Sequence, residues 1–173
     1  MTQNWIEVAP GRYRERFGRC FEDFKEGDVY EHRPGKTVTE YDNHMFTLMT
    51  MNTHPLHFDN EFAKHSEFGK PLVVSPYTLS LLIGMSVSDC SHLAIANLGM
   101  NDVRFTAPLF VGDTLYGESE VLAKRLSKSR PTQGIVTIRT IGKNQNGEMV
   151  CTFDRNMLIP TRGTSVYDAI ENY

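Results

Sequence analysis

Between Ser75 and Ser88 the chain carries Tyr77, Leu79, Leu81, Leu82, Ile83, Met85 and Val87 with no wide polar face, and this stretch constrains the fold more than any other. A helix that is apolar all round is buried, either inside a protein or in a bilayer. The bilayer does not fit. The run 72–87 is broken by Ser75, Pro76, Thr78, Ser80, Gly84 and Ser86, and falls short of the roughly 20 unbroken apolar residues a spanning helix needs. Ser75-Pro76 reads as the helix start, a hydroxyl N-cap followed by proline at the first helical position, where an N–H would be unpaired anyway. Gly84 weakens a helix interior by about 1 kcal/mol, which predicts close approach of another backbone there. A helix of this kind has to be enclosed.

The rest of the chain supplies the enclosure. Residues 29–38 read as a strand released by the turn at Gly27-Asp28, and residues 103–105, 114–122, 134–141 and 148–159 carry β-branched and aromatic residues in partial alternation. Lys143-Asn144-Gln145-Asn146-Gly147 is a hairpin signal, its glycine supplying positive φ. Between the first strand and the enclosed helix, Thr39 offers an N-cap, with Tyr41, Met45, Leu48 and Met49 following at spacings of three and four. That predicts an amphipathic helix. Glu61-Phe62-Ala63-Lys64 adds one short helical turn, which Phe68-Gly69-Lys70-Pro71 breaks. The expected fold class is α+β, one antiparallel sheet wrapped around one helix. At 173 residues a single domain is expected, over residues 21–160. Residues 1–20 form a basic and aromatic arm with no clear period, and 161–173 a polar tail.

Composition narrows the function classes. A net charge of -3 gives no reason to expect nucleic-acid binding. Cys20, Cys90 and Cys151 are odd in number, widely spaced and without a CxxC pair, so neither a disulfide framework nor a zinc site is indicated. The N-terminus shows no charged-then-apolar signal pattern. A cytoplasmic protein without a membrane anchor is expected.

Chemistry concentrates in Asn52-Thr53-His54-Pro55-Leu56-His57-Phe58-Asp59, where two histidines, an amide and a carboxylate crowd a proline. Pro55 disfavours the α conformation at His54, so the preceding helix should end near Asn52 and the polar side chains should project from a rigid turn. Such a turn can aim a base. The same residues would also serve a simple helix stop with solvated or hydrogen-bonded histidines.

Several spaced motifs occur in one order: Phe21-Glu22-Asp23-Phe24 with Gly27-Asp28, Thr37-Val38-Thr39-Glu40, Asn52-Thr53-His54-Pro55-Leu56-His57, Phe68-Gly69-Lys70-Pro71, and Phe105-Thr106-Ala107-Pro108 with Gly112-Asp113-Thr114-Leu115. In this order the chain resembles the MaoC-like (R)-specific enoyl-CoA hydratases, over about residues 21–160. It looks most like the branch acting on mesaconyl-CoA, itaconyl-CoA or β-methylmalyl-CoA. The resemblance implies a hot-dog fold, a sheet wrapped around a long helix, and a hydro-lyase that adds water to a 2-enoyl-CoA. It implies no metal or redox cofactor, with CoA entering only as part of the substrate, and a homodimer or higher homo-oligomer. The family's motif reads Gly-Asp-x-Asn-Pro-Leu-His, its Asp and last His forming the catalytic pair. Here His57 matches that histidine, Asn52 stands at the aspartate position, and His54 at the inner asparagine.

Hydration of an α,β-unsaturated thioester needs a base for water, donors for the enolate-like oxygen and a proton for the α-carbon. His57 suits the first. Asn52 can hold water but cannot shuttle its proton, leaving His54 or Asp59 as the local second titrating group. The start of the enclosed helix suits the oxyanion, through Ser75 and Tyr77. Lys124, Arg125, Lys128 and Arg130 form a basic run that either meets CoA phosphates or is simply solvated. A hot-dog thioesterase and a non-catalytic acyl-thioester binding subunit are the alternative functions.

Overall fold

The structure is a computed structural model in which residues 5–170 are described. The chain opens with a hairpin of β1 (Trp5–Ala9) and β2 (Arg12–Glu15), closed at Gly11, whose φ of 70° suits glycine. In sequence this arm shows no clear period. Its alternation is hidden because no residue of β1 is buried, so no apolar face is imposed on the sequence.

Five strands form the main sheet: β3 (Val29–Thr37), β4 (Ala96–Phe105), β5 (Thr114–Leu126), β6 (Gln133–Lys143) and β7 (Met149–Pro160). Their order is β3-β5-β6-β7-β4, every pair antiparallel. One face is the core face. In β6 it shows as strict alternation, with Gly134, Val136, Ile138, Thr140 and Gly142 buried and their neighbours more exposed. The helices are α1 (Glu40–Met49), α2 (Asn60–Lys64), α3 (Ser75–Met85) and α4 (Val166–Ala169). None of the described helices is long and apolar enough to cross a membrane.

The sheet carries α3 as expected. Leu82, fully buried, packs with Val38, Val73, Leu109, Leu115 and Phe153, a burial that stabilises by about 1.5–3 kcal/mol per large side chain. It sits over Gly117 and Gly142, which face each other across β5 and β6. A Cβ on Gly142 would lie 2.6 Å from Leu82 Cδ1. A second cluster, Phe21, Phe24, Cys90, Val121, Ile138 and Ile159, fills the other end of the sheet.

Five expectations need correction. Ser75 is not the N-cap of α3: Val74 holds that place, Ser75 is the first helical residue and Pro76 the second, with no side-chain cap. Within the chain α3 is covered on one side only. Thr78 and Leu82 are buried, Pro76, Ser80 and Gly84 are exposed, and nothing lies within 4 Å of a Cβ built on Gly84. In α1 the polarity is inverted: Tyr41, Met45, Leu48 and Met49 are 71%, 47%, 53% and 73% exposed while Asn43 and Thr47 are buried. Finally, β4 begins at Ala96 rather than 103, because pairing with β7 carries a strand through Gly99 and Asp102, at φ 158° and 50°, with two register shifts. Strand β5 likewise continues past 122 through a bulge, so Lys124 and Arg125 lie within it.

Beyond α3 a π-helical turn, Val87–Ser91, brings Asp89 to the fully buried His32. Asp89 Oδ2 accepts from His32 Nδ1 at 3.0 Å, and Ser119 Oγ lies 2.8 Å from both Nε2 and Thr140 Oγ1. The carboxylate fixes the proton on Nδ1, so Ser119 donates to Nε2 and Thr140 donates to Ser119. Burial pushes the His32 pKa down despite Asp89.

Candidate active site

The chain leaves α1 through Met51, a non-glycine residue at φ 60°, which turns it sharply into the histidine segment. Asn52 Oδ1 accepts from the His54 amide at 3.0 Å, and its NH2 group has no partner among the described residues. Pro55 starts a single 3-10 turn, Pro55–His57. His54 Nδ1 accepts from the Leu56 amide at 3.1 Å, so that nitrogen bears a lone pair and the ring's proton sits on Nε2. His57 is held the other way. Its Nδ1 lies 2.8 Å from the Leu72 carbonyl, which can only accept, so Nδ1 carries the proton and Nε2 is a free base. The rings are 5.9 Å apart. One turn thus presents an acceptor at His57, a donor at His54 and an amide donor at Asn52.

Asp59 does not join them as a titrating partner. Its carboxylate accepts from the Glu61 and Phe62 amides and caps α2.

Ser75 and Tyr77 are brought close to this turn through Leu72, Val73 and Val74. Leu72 is hydrogen-bonded to Leu56, and Val73 to Leu109. At the head of α3, Pro76 has no N–H and the Tyr77 amide is taken by the Val74 carbonyl at 2.9 Å. The Ser75 amide has no partner among the described residues and is the donor that remains for an oxyanion. Tyr77 instead turns its ring against Phe46 of α1, at 5.4 Å. Burial, with Asp42 nearby, pushes the Tyr77 pKa up, so its phenol stays a donor.

Beside Leu72 and Ser75 lies a cavity of about 270 Å³, walled by Phe68, Thr78, Phe105, Pro108 and Leu109. Four larger cavities, of about 370, 440, 510 and 610 Å³, lie by the β1–β2 hairpin and by α4 and include none of the expected site residues. Size therefore points away from the chemistry, and the smaller cavity is the better candidate because it adjoins the oxyanion donor and the histidine's anchor.

The basic run stands apart from this site. The Lys124 ammonium donates to the Phe21 and Phe24 carbonyls at 3.1 and 2.5 Å and lies over the Phe21 ring. Arg125 is exposed on β5, and Arg130 reaches only Gln133, at 3.4 Å. From Leu115, packed near the site, to Arg125 is about 33 Å of strand. Within one chain the structure does not bring these cations to His57.

Asn43 and the Leu72 carbonyl are the site features that sequence reasoning missed. Asn43 Nδ2 donates to the carbonyls of His57, at 2.7 Å, and Leu72, at 3.2 Å, and its Oδ1 accepts from the Val74 amide at 3.0 Å. A polar pair at i and i+4, Asn43 and Thr47, was the available signal, but it reads equally as the outer face of the helix.

The family model for mesaconyl-CoA hydratase matches residues 7–172. The chain belongs to the mesaconyl-CoA hydratase family. A mesaconyl-CoA hydratase of Haloarcula marismortui is 33% identical over 87% of the chain, which spans only 42% of that relative's length. Among solved structures, an Archaeoglobus protein described as a monoamine oxidase regulatory protein is 37% identical, with a TM-score of 0.75 over 84% of this chain and 97% of that one. A Mycobacterium tuberculosis protein described as a double hotdog fold aligns with a TM-score of 0.78 over 86% of this chain and 47% of that one. At 24% identity it speaks for the fold alone. The sheet-wrapped helix is the hot-dog fold that the motifs led us to expect. The histidine turn lies inside the matched region.

Proposed function

We propose that the chain reversibly hydrates a 2-enoyl-CoA with a branched dicarboxylic acyl group, of the mesaconyl-, itaconyl- or β-methylmalyl-CoA type, working as a cytoplasmic homodimer without metal or redox cofactor. The observation that carries this reading is the hydrogen bond from His57 Nδ1 to the Leu72 carbonyl, which leaves Nε2 free to take a proton. In the hydration direction His57 Nε2 removes a proton from water and the hydroxide adds to the β-carbon. The electron pair moves onto the thioester oxygen, which the Ser75 amide stabilises, and the imidazolium returns its proton to the α-carbon. Asn52 orients the water with its NH2 group.

The second carboxylate of the acyl group is accounted for by donors. His54 Nε2–H and Asn52 Nδ2 remain as donors for it, and the carboxylate of the histidine segment, Asp59, is committed to α2. His54 serves here through the Nε2–H alone, because its Nδ1 is already taken by the Leu56 amide.

The test is a mass-spectrometric assay against a panel of enoyl-CoA esters, for wild type and His57→Ala. Addition of one water is expected with wild type, and His57→Ala should lose a factor of about 10² to 10⁴ while keeping its circular dichroism. Release of free CoA thiol would make it a thioesterase, and binding without turnover a carrier subunit. Either result would overturn the proposal.

A further inference from the structure

We propose that Asn43, buried one helix away from the chemistry, is a positioning residue that holds the base and the oxyanion donor in one frame. The inference rests on the hydratase reading for its consequence in turnover, but its geometry stands independently. Asn43 is fully buried, and the three hydrogen bonds of its amide go to three points of the site. One N–H fixes the His57 carbonyl and another the Leu72 carbonyl, the same oxygen that receives His57 Nδ1–H. Its Oδ1 fixes the amide of Val74, the residue immediately before Ser75.

Two otherwise separate segments therefore have their relative position set by one side chain. Leucine or alanine at 43 would leave the His57 carbonyl and the Val74 amide without this partner in the interior. An aspartate would keep the acceptor for Val74 but turn an oxygen towards two carbonyls. Only a planar group with donors on one side and an acceptor on the other satisfies all three. This also explains why α1 turns its polar side inward. Thr47, one turn later and equally buried, has no hydrogen-bond partner for its hydroxyl among the described residues, so burial on this face does not by itself imply a role.

The experiment compares wild type, Asn43→Ala, Asn43→Asp and the control Thr47→Val by steady-state hydration kinetics and by imidazole 15N resonances of His57. Wild-type His57 should carry its neutral-form proton on Nδ1. Both Asn43 variants should lower kcat on the order of 10², with KM within about threefold, because Asn43 touches no substrate. They should also move the His57 resonances towards a tautomer mixture, whereas Thr47→Val should change neither. A folded Asn43→Ala enzyme with kcat within about threefold of wild type would overturn the inference. So would a wild-type His57 protonated on Nε2, a measurement that decides even if both variants fail to fold. Resonances that shift in Asn43→Ala while no ester is hydrated by wild type would uphold the positioning role and refute the hydratase reading.

Discussion

At the residue scale, the departure from the family motif at Asn52 has a structural meaning. Its side-chain oxygen holds the His54 amide, a task aspartate performs equally well, so Asn52→Asp should preserve the turn. It would lose the NH2 donor and place a negative charge beside the substrate. We expect kcat/KM for mesaconyl-CoA to fall at least about tenfold more than that for crotonyl-CoA, a difference of about 1.4 kcal/mol in transition-state stabilisation. Equal loss on both esters would show that Asn52 does not read the second carboxylate. His57 and Asn52 were legible because a proline-anchored motif keeps its polar residues within a few positions. Asn43 was not, because its three partners are main-chain atoms, at His57, Leu72 and Val74, and backbone partners leave no trace in residue type. His32 gives a prediction of a different kind. Its pKa is depressed in the folded chain, so below the ordinary imidazole value of about 6.5 the unfolded chain holds more protons and stability falls as pH falls. The urea midpoint should drop between about pH 7.5 and about pH 5.5, and His32→Gln should drop less. An identical acid loss in the variant would assign it to other groups.

At the scale of elements, the strands were read from alternation, and it was their ends that moved. Strand β5 runs on through a bulge, and β4 runs through Asn and Gly residues that argue for a turn until a partner strand is present. The helices were misread in a more instructive way. The stripe of Tyr41, Met45, Leu48 and Met49 gave the right element with the wrong face buried, since periodicity reports a helix but not which side the core takes. The contact between α3 and the sheet is visible only in three dimensions. Leu82 descends onto Gly117 and Gly142, which are 25 residues apart in sequence but paired across strands. A methyl on Gly142 must displace a side chain that is fully buried, so Gly142→Ala should cost about 1–3 kcal/mol of stability by urea unfolding. Gly147, at a hairpin tip with nothing near its Cβ direction, tests the alternative that any strand-side glycine is sensitive to volume: its substitution should cost only the strain of a φ of 79°.

For the whole molecule, the surfaces left open by one chain predict the assembly. Strand β4 is an edge of the sheet, pairing only with β7, and nine of its ten residues are exposed, among them Leu98, Val103 and Phe105. A long exposed edge of this composition invites another strand. The exposed side of α3, with Pro76, Ser80 and Gly84 one turn apart, leaves room for a close neighbour that the described residues do not provide. A second copy of the chain can cover both surfaces through a two-fold interface in which each edge meets its own counterpart. Light scattering at micromolar concentration should therefore give a dimer or a multiple of it. Val103→Lys, which puts a charge on the edge strand as soluble sheets do to block pairing, should shift the mass towards the monomer. A wild-type monomer at that concentration would leave β4 and the open side of α3 without a second copy to cover them, and the homodimer would have to be abandoned.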